Sequence, residues 1–469
     1  MLKKAVLLVS GNAFGSALLL VRNLIVARLV SPEDYGIAST FAVAMSIVEM
    51  LSYLGLNQMI VVDKNGDDPH VQKVMQGFQL FRGAMSSLIL YAIAMPYARF
   101  LGVEHVAWAY QVIAVVPLLN AMQHFDIHRL KRHMIFRPAI MTQAVPPLIS
   151  VLALWPLALI YGDYRIMLVS LLVQAVSMTV LSHVMAERRY GVALDYDLVR
   201  RATLFGWPLL LNGALLFGVF NGERLIVGRE LGMGQLAVFS MAITLTLTPT
   251  LVLAGAVQSL FLPRLSALRE DDRSFQWLGT AAVEAGLAIG LVLLIAIVLV
   301  GGPVISLLLG PKYAAILPIL VPMTVVQAAR VAKTGTSNVA LAKERSGNAA
   351  AANLVRVLSL PVSWFVVIRT GDVMTVVFIA VVAEMLSYLV SLRLVARRAG
   401  LGLSPLLVPS VLTGVALVAA YIETEVFPPQ SGLMAHLTWS RWAVAAICLV
   451  ALGSMSALRG YVVRRVWRR

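Results

Sequence analysis

Six basic residues fall inside long apolar stretches of this sequence: Arg22, Arg82, Arg224, Arg330, Lys333 and Arg356. Four acids do the same: Glu49, Glu223, Glu284 and Glu384. A charge at membrane depth is costly and seldom faces lipid, so it marks an aqueous cavity or a buried pair. Guanidinium offers a planar fork to phosphate or carboxylate oxygens, and ammonium a compact charge. Four acids cannot neutralise six bases one for one, so the set predicts a net-positive cavity. Such a cavity attracts a pyrophosphate or an acidic sugar and repels a cationic drug.

Spacing sorts these charges by depth. Arg82 lies nine residues past Lys73, about 13 Å along a helix and close to mid-membrane. Arg356, eleven past Arg345, and Arg330, thirteen before Lys343, are similarly deep. Lys333 follows Arg330 by three residues and shares its helix face. Arg22 and Arg224 sit nearer the outer ends of their stretches, where a long side chain can snorkel to water. Glu49 and Glu384 are near mid-depth, Glu223 adjoins Arg224, and Glu284 is expected at an interface. Gln76, Gln79, Asn120, Gln174 and Gln327 are further polar groups at depth, each read first as a helix–helix hydrogen bond.

The elements holding these residues follow from composition. The chain has 469 residues, 59% of them hydrophobic and only 13% charged, with a mean hydropathy of +0.85. Its apolar runs repeatedly exceed the ~20 residues that cross roughly 30 Å of hydrocarbon, and none alternates as a barrel strand would. The fold class is therefore an all-α polytopic membrane protein, with about fourteen spans from 6–30 to 440–458. Lys and Arg gather in alternate connections, 25 of the 38 lying on the side that also holds Lys3, Lys4 and the Arg459–Arg469 tail. By the positive-inside rule both termini are cytoplasmic and the number of spans is even. The net charge of +15 is mostly this topological bias, with attraction to the lipid bilayer surface, and is not a nucleic-acid signature.

One phrase occurs twice. "LIVAR" (Leu24–Arg28) and "LIVGR" (Leu225–Arg229) stand 201 positions apart, each ending a span, with six spans from one to the other. An even offset implies two lobes in parallel pseudo-two-fold repeat, with transport between lobes that rock. The expected lobes are 1–201 (spans 1–6) and 202–398 (spans 7–12), followed by 399–469 with two extra C-terminal helices and a basic cytoplasmic tail.

"ARLVSPEDYGIAS" (27–39), "HRLKRHMIFRP" (128–138), "GERLIVGRELGMGQLAVFSMA" (222–242) and "FLPRLSAL" (261–268) resemble the Wzx-type lipid-linked oligosaccharide flippases. These belong to the multidrug/oligosaccharidyl-lipid/polysaccharide exporter superfamily. Relatives often carry aspartate before the basic residue of span 7, where this chain has Glu223. The resemblance implies translocation of an oligosaccharide repeat unit on undecaprenyl pyrophosphate, from the inner to the outer leaflet of the bacterial cytoplasmic (inner) membrane. That step supplies O-antigen, capsule or exopolysaccharide assembly, with the downstream polysaccharide polymerase machinery as a partner. On this reading Arg82, Arg330, Lys333 and Arg356 bind the anion, Arg22 and Arg224 lie nearer the exit, and Glu49, Glu384 or Glu223 hosts a coupling H⁺ or Na⁺.

Two alternatives share the fold: an ion-coupled multidrug-type small-molecule exporter and a flippase for the peptidoglycan lipid precursor. The basic excess counts against the first, and "SPEDYG" against the second. No enzyme is expected. There is no Walker-type glycine loop to hold a nucleotide, the seven histidines lack metal-ligand spacing, and no other cofactor is implied.

Overall fold

The computed structural model describes residues 2–345, 347–427 and 438–466, so Arg468 and Arg469 of the expected basic tail lie outside the described residues. Every regular element among the described residues is helical. Eleven helices are long and apolar enough to cross a membrane, thirteen if two bent pairs each count as one span. The first helix, 28 residues long, makes the arrangement consistent with the expected fourteen.

The chain divides into two compact units, residues 1–237 and 238–469. The first contains α1 (Leu2–Leu29), α2 (Pro32–Leu51), α3 (Leu56–Val62), α4 (Pro69–Phe100), α5 (Ala107–Ile113), α6 (Val115–Ala121), α7 (Asp126–Arg132), α8 (Arg137–Ile160), α9 (Arg165–Val184) and α10 (Tyr196–Glu230). Helix α10 packs against α2 and α4 within this unit. Local chemistry explains where the helices begin. In "SPED" the Ser31 hydroxyl accepts from the Asp34 N–H at 3.1 Å, and Pro32 occupies the first turn, where its missing N–H costs nothing. Asp68 and Asp195 cap α4 and α10 in the same way. The duplicated phrase ends α1 in one copy and α10 in the other.

The basic motif 128–138 grips the turn between α3 and α4. Arg132 donates to the carbonyls of Val61 (3.1 Å) and Ile60 (3.3 Å), and reaches the Asp67 carboxylate at 3.3 Å. His133 Nε2 meets the other Asp67 oxygen at 2.5 Å. The hydrogen bond with His133, aided by the nearby guanidinium of Arg132, holds the Asp67 carboxyl below the usual aspartate range. A depressed carboxyl pKa contributes stability that is complete above its unfolded value, about 3.9, and is lost as pH falls through the folded value. We predict that hydrogen-exchange protection of the 60–67 turn holds from pH 7 to 5 and drops below about pH 4. Asp67→Asn should remove that step, and protection that is unchanged down to pH 3 would contradict it.

The second unit holds most of α11 (Gly232–Ala267), with α12 (Asp272–Ala296), α13 (Gly302–Leu309), α14 (Leu317–Ala342), α15 (Gly347–Thr370), α16 (Val373–Ala399), α17 (Ser404–Val426), α18 (Trp439–Gly453) and α19 (Ser456–Val466). Its densest seam joins α12 to α14 through small residues. A Cβ added at Gly335 would sit 2.3 Å from the Ala282 carbonyl oxygen and 2.4 Å from Val283 Cα. Close backbone approach of this kind is how helices associate where lipid offers no hydrophobic drive. Helix α19 turns 67° from α18. The Leu458 N–H in its first turn donates to Glu284 Oε2 at 2.6 Å, so that a fully buried carboxylate of α12 caps it. Glu284, expected at an interface, thus has a structural partner in the N–H of Leu458.

Candidate functional site

In the first unit Arg82 projects from α4 into a polar cavity of roughly 310 Å³. Its Nη1 donates to the carbonyl and hydroxyl oxygens of Ser52, each at 3.1 Å. Ser86, one helical turn beyond Arg82, reaches the same Ser52 hydroxyl at 3.3 Å. The buried Arg82 Nε has no hydrogen-bond partner in the structure. Across the cavity Glu49 is exposed and accepts from Asn120 Nδ2 at 3.1 Å, while Asn120 Oδ1 accepts from Gln123 Nε2 at 3.3 Å. Gln79, His124, Lys131 and Thr142 complete the wall. One helix thus carries the fixed cation, and a second carries a carboxylate at the end of an amide chain.

Arg22 is placed otherwise than expected. It does not snorkel: it is 7% exposed and wedges α1 against α8 and α9, donating to Ser150 Oγ at 3.3 Å and to Gln174. Ser150 in turn bonds Ser170 at 2.7 Å. Glu223 is buried and Arg224 half-buried near the end of α10. Neither lines the Arg82 cavity.

The second unit brings together four of the residues singled out by the sequence. Arg330 and Lys333 of α14 and Arg356 of α15 converge on Glu384 of α16. Arg330 Nε lies 2.8 Å from Oε1, Lys333 Nζ 2.6 Å from Oε2, and Arg356 Nε 3.3 Å from Oε1. Hydroxyls and an amide complete the cluster. Lys333 donates to Ser387 (2.8 Å), Arg356 to Ser359 (2.9 Å) and Arg330 to Gln327 (3.1 Å). Glu384 and Arg356 are fully buried, and Arg330 has the most open side chain of the four at 12%. The i, i+3 spacing of Arg330 and Lys333 puts both on the face toward α16. Beside this cluster, α14, α16 and α17 enclose a groove of roughly 660 Å³, lined mainly by apolar side chains such as Ala332, Leu389, Leu406 and Leu417.

Sequence reading did not find Ser52, His124 or Ser387. A lone hydroxyl or neutral ring, whether within a helix as Ser387 is or in a connection as Ser52 and His124 are, carries no pattern that separates it from ordinary packing. Among the described residues, no group of three or more His, Cys, Asp or Glu side chains could hold a metal ion.

Comparison with known proteins places the chain. The sequence model described as "Polysaccharide biosynthesis protein" matches residues 25–318. The succinoglycan biosynthesis transport protein ExoT of Rhizobium meliloti (strain 1021) is 26% identical over 253 residues, 53% of this chain and 50% of that protein. The teichuronic acid biosynthesis protein TuaB of Bacillus subtilis (strain 168) is 25% identical over 240 residues, 50% of this chain and 49% of that protein. The match thus spans about half the length of these curated relatives. Two solved structures share the fold. An inward-facing multidrug resistance MATE family transporter of the MOP superfamily gives a TM-score of 0.70 at 16% identity, covering 82% of this chain and 94% of that one. The lipid II flippase MurJ in an inward closed conformation gives 0.69 at 15% identity, covering 99% of this chain and 100% of that one.

Proposed function

Because the chain belongs to the polysaccharide biosynthesis protein family, we propose that it is a transporter that flips an undecaprenyl-pyrophosphate-linked oligosaccharide from the inner to the outer leaflet of the bacterial cytoplasmic membrane. The observation that carries this reading is the Arg82 guanidinium. It stands in a polar cavity of a membrane-spanning unit, with one N–H lacking any partner. A buried donor on a permanent cation is unfavourable until an acceptor oxygen reaches it, and a pyrophosphate supplies such oxygens in a geometry that guanidinium matches. Arg330, Lys333 and Arg356 form the second cationic element, and Glu49, open to the cavity, is the preferred coupling carboxylate for H⁺ or Na⁺. The repeat halves are 1–201 and 202–398, alternating access moves one against the other, both termini are cytoplasmic, and the delivered glycan passes to polymerase machinery.

The test is lipid mass spectrometry on cells depleted of the protein and complemented with wild type or Arg82→Gln. Depletion should accumulate a glycosylated undecaprenyl pyrophosphate and remove surface polysaccharide. Arg82→Gln should lower flux by about tenfold to a hundredfold, as expected for losing one charge-assisted contact worth roughly 1.5–3 kcal/mol. Unchanged lipid-linked glycan pools together with new sensitivity to organic cations would replace this reading with a small-molecule exporter.

A further inference from the structure

The first unit contains a second pocket, of roughly 250 Å³, whose described lining shares only His124 with the Arg82 cavity. Its front is the opening of α4, with Pro69, Gln72, Lys73 and Gln76, and its side is the segment that carries Arg188, Arg189 and Gly191. Three of its eight described lining residues are cationic and none is acidic. The walls are fixed by hydrogen bonds. Asp126 Oδ2 accepts the backbone N–H groups of Glu187 (2.9 Å) and Arg188 (3.2 Å), which sets the course of the segment. The Ala193 N–H returns to the Lys73 carbonyl at 3.1 Å, and Arg188 Nη1 donates to Gln72 Oε1 at 3.0 Å. A Cβ on Gly191 would lie 2.9 Å from Lys73 Cε, so only glycine lets the lysine stem cross there without displacement.

At the back stands His124, only 4% exposed. Its backbone N–H donates to Ser182 Oγ at 2.9 Å, and its ring packs edge-on against His183 and Tyr190. Nδ1 accepts the Asp126 N–H at 3.2 Å. In the neutral ring this leaves the proton on Nε2. That buried Nε2–H has no close hydrogen-bond partner, only a weaker contact with the Arg188 backbone. A rigid pocket that combines a weakly answered buried donor with three cations is complementary to an anion bearing several acceptor oxygens.

We propose that this pocket binds a phosphate-bearing anion, with His124 Nε2–H and the cations Lys73, Arg188 and Arg189 as its ligands. The chemistry fits the headgroup phosphate of an anionic lipid and equally a soluble phosphate compound. None of the three cations lines the Arg82 cavity, whereas His124 lines both pockets, so the two sites are separate in their charges and share one wall.

The experiment is calorimetric titration of inorganic pyrophosphate into the full chain, held in phosphatidylcholine nanodiscs. It is run in an Arg82→Gln background so that the larger cavity contributes no guanidinium. Binding should be measurable there, and should weaken by about tenfold or more in Lys73→Gln/Arg189→Gln, as loss of two charge-assisted contacts implies. Both of these side chains are exposed, so the fold should persist. His124→Phe keeps the ring packing and should weaken binding several-fold. No binding at all, or affinity in the double variant within twofold of its parent, would overturn the site. A double variant that loses affinity while His124→Phe does not would show surface attraction only, and would also overturn it. Repeating the titration with phosphatidylglycerol in the nanodisc separates the sources. Competition by that lipid assigns the pocket to a lipid headgroup, and undisturbed pyrophosphate binding assigns it to a soluble phosphate compound.

Discussion

Glu384→Gln should cost the protein about 3–5 kcal/mol of stability, the range for removing one partner of a buried ion pair. Three cations share this carboxylate, and both Glu384 and Arg356 are fully inaccessible. With glutamine in place, Arg330, Lys333 and Arg356 would face one another in a low-dielectric interior, where like charges repel strongly. We expect a large fall in the thermal midpoint of the detergent-solubilised protein and a small yield of folded material. Glu384→Gln combined with Arg356→Met should recover a good part of the loss, because an apolar side chain of similar length removes one of the stranded charges. A single variant as stable as wild type would mean that the cluster is not held by charge. If that variant folds and still couples transport to an ion gradient, Glu384 is not the coupling site, and Glu49 and Glu223 remain.

The second large effect is expected at the α12–α14 seam. Gly335→Leu places a Cβ against backbone atoms of Ala282 and Val283 rather than against any side chain that could turn away. The helices must therefore part, and the cost should lie at or above the top of the roughly 1–3 kcal/mol usual for overpacking. Parting them also shifts α14, which carries Arg330 and Lys333, so activity should fall even in the fraction that folds. Gly255→Ala is the control. Nothing lies within 4 Å of its Cβ position, and alanine favours a helix interior by up to about 1 kcal/mol. Thermal midpoints for the two variants should move in opposite directions, and a Gly335→Leu protein within a degree of wild type would refute the seam.

Much of this architecture can be read from the chain alone, because membrane solvent writes itself into composition. The helical character of the long apolar runs and the shared face of Arg330 and Lys333 follow from composition and spacing. Convergence does not follow. Nothing between Lys333 and Glu384 in the sequence says that α14, α15 and α16 bring three cations to one carboxylate, since that depends on helix neighbours and rotation. Arg22 looked like a snorkelling residue because its partners, Ser150 and Gln174, lie 128 and 152 positions away. The basic run around Arg132 and His133 reads as a loop charge count, yet these two residues fasten the α3–α4 turn. Divided packing is equally invisible: α10 groups with the first unit, and no residue pattern along it announces that.

Glu284 and α19 carry a consequence for biosynthesis. The N–H that this carboxylate accepts belongs to Leu458, 174 residues further along the chain. While a ribosome is still making the intervening helices, α12 is already inserted with its acid unanswered. The capping contact forms only once α19 has emerged. Premature termination between α12 and α19 therefore leaves the Glu284 carboxylate without its donor.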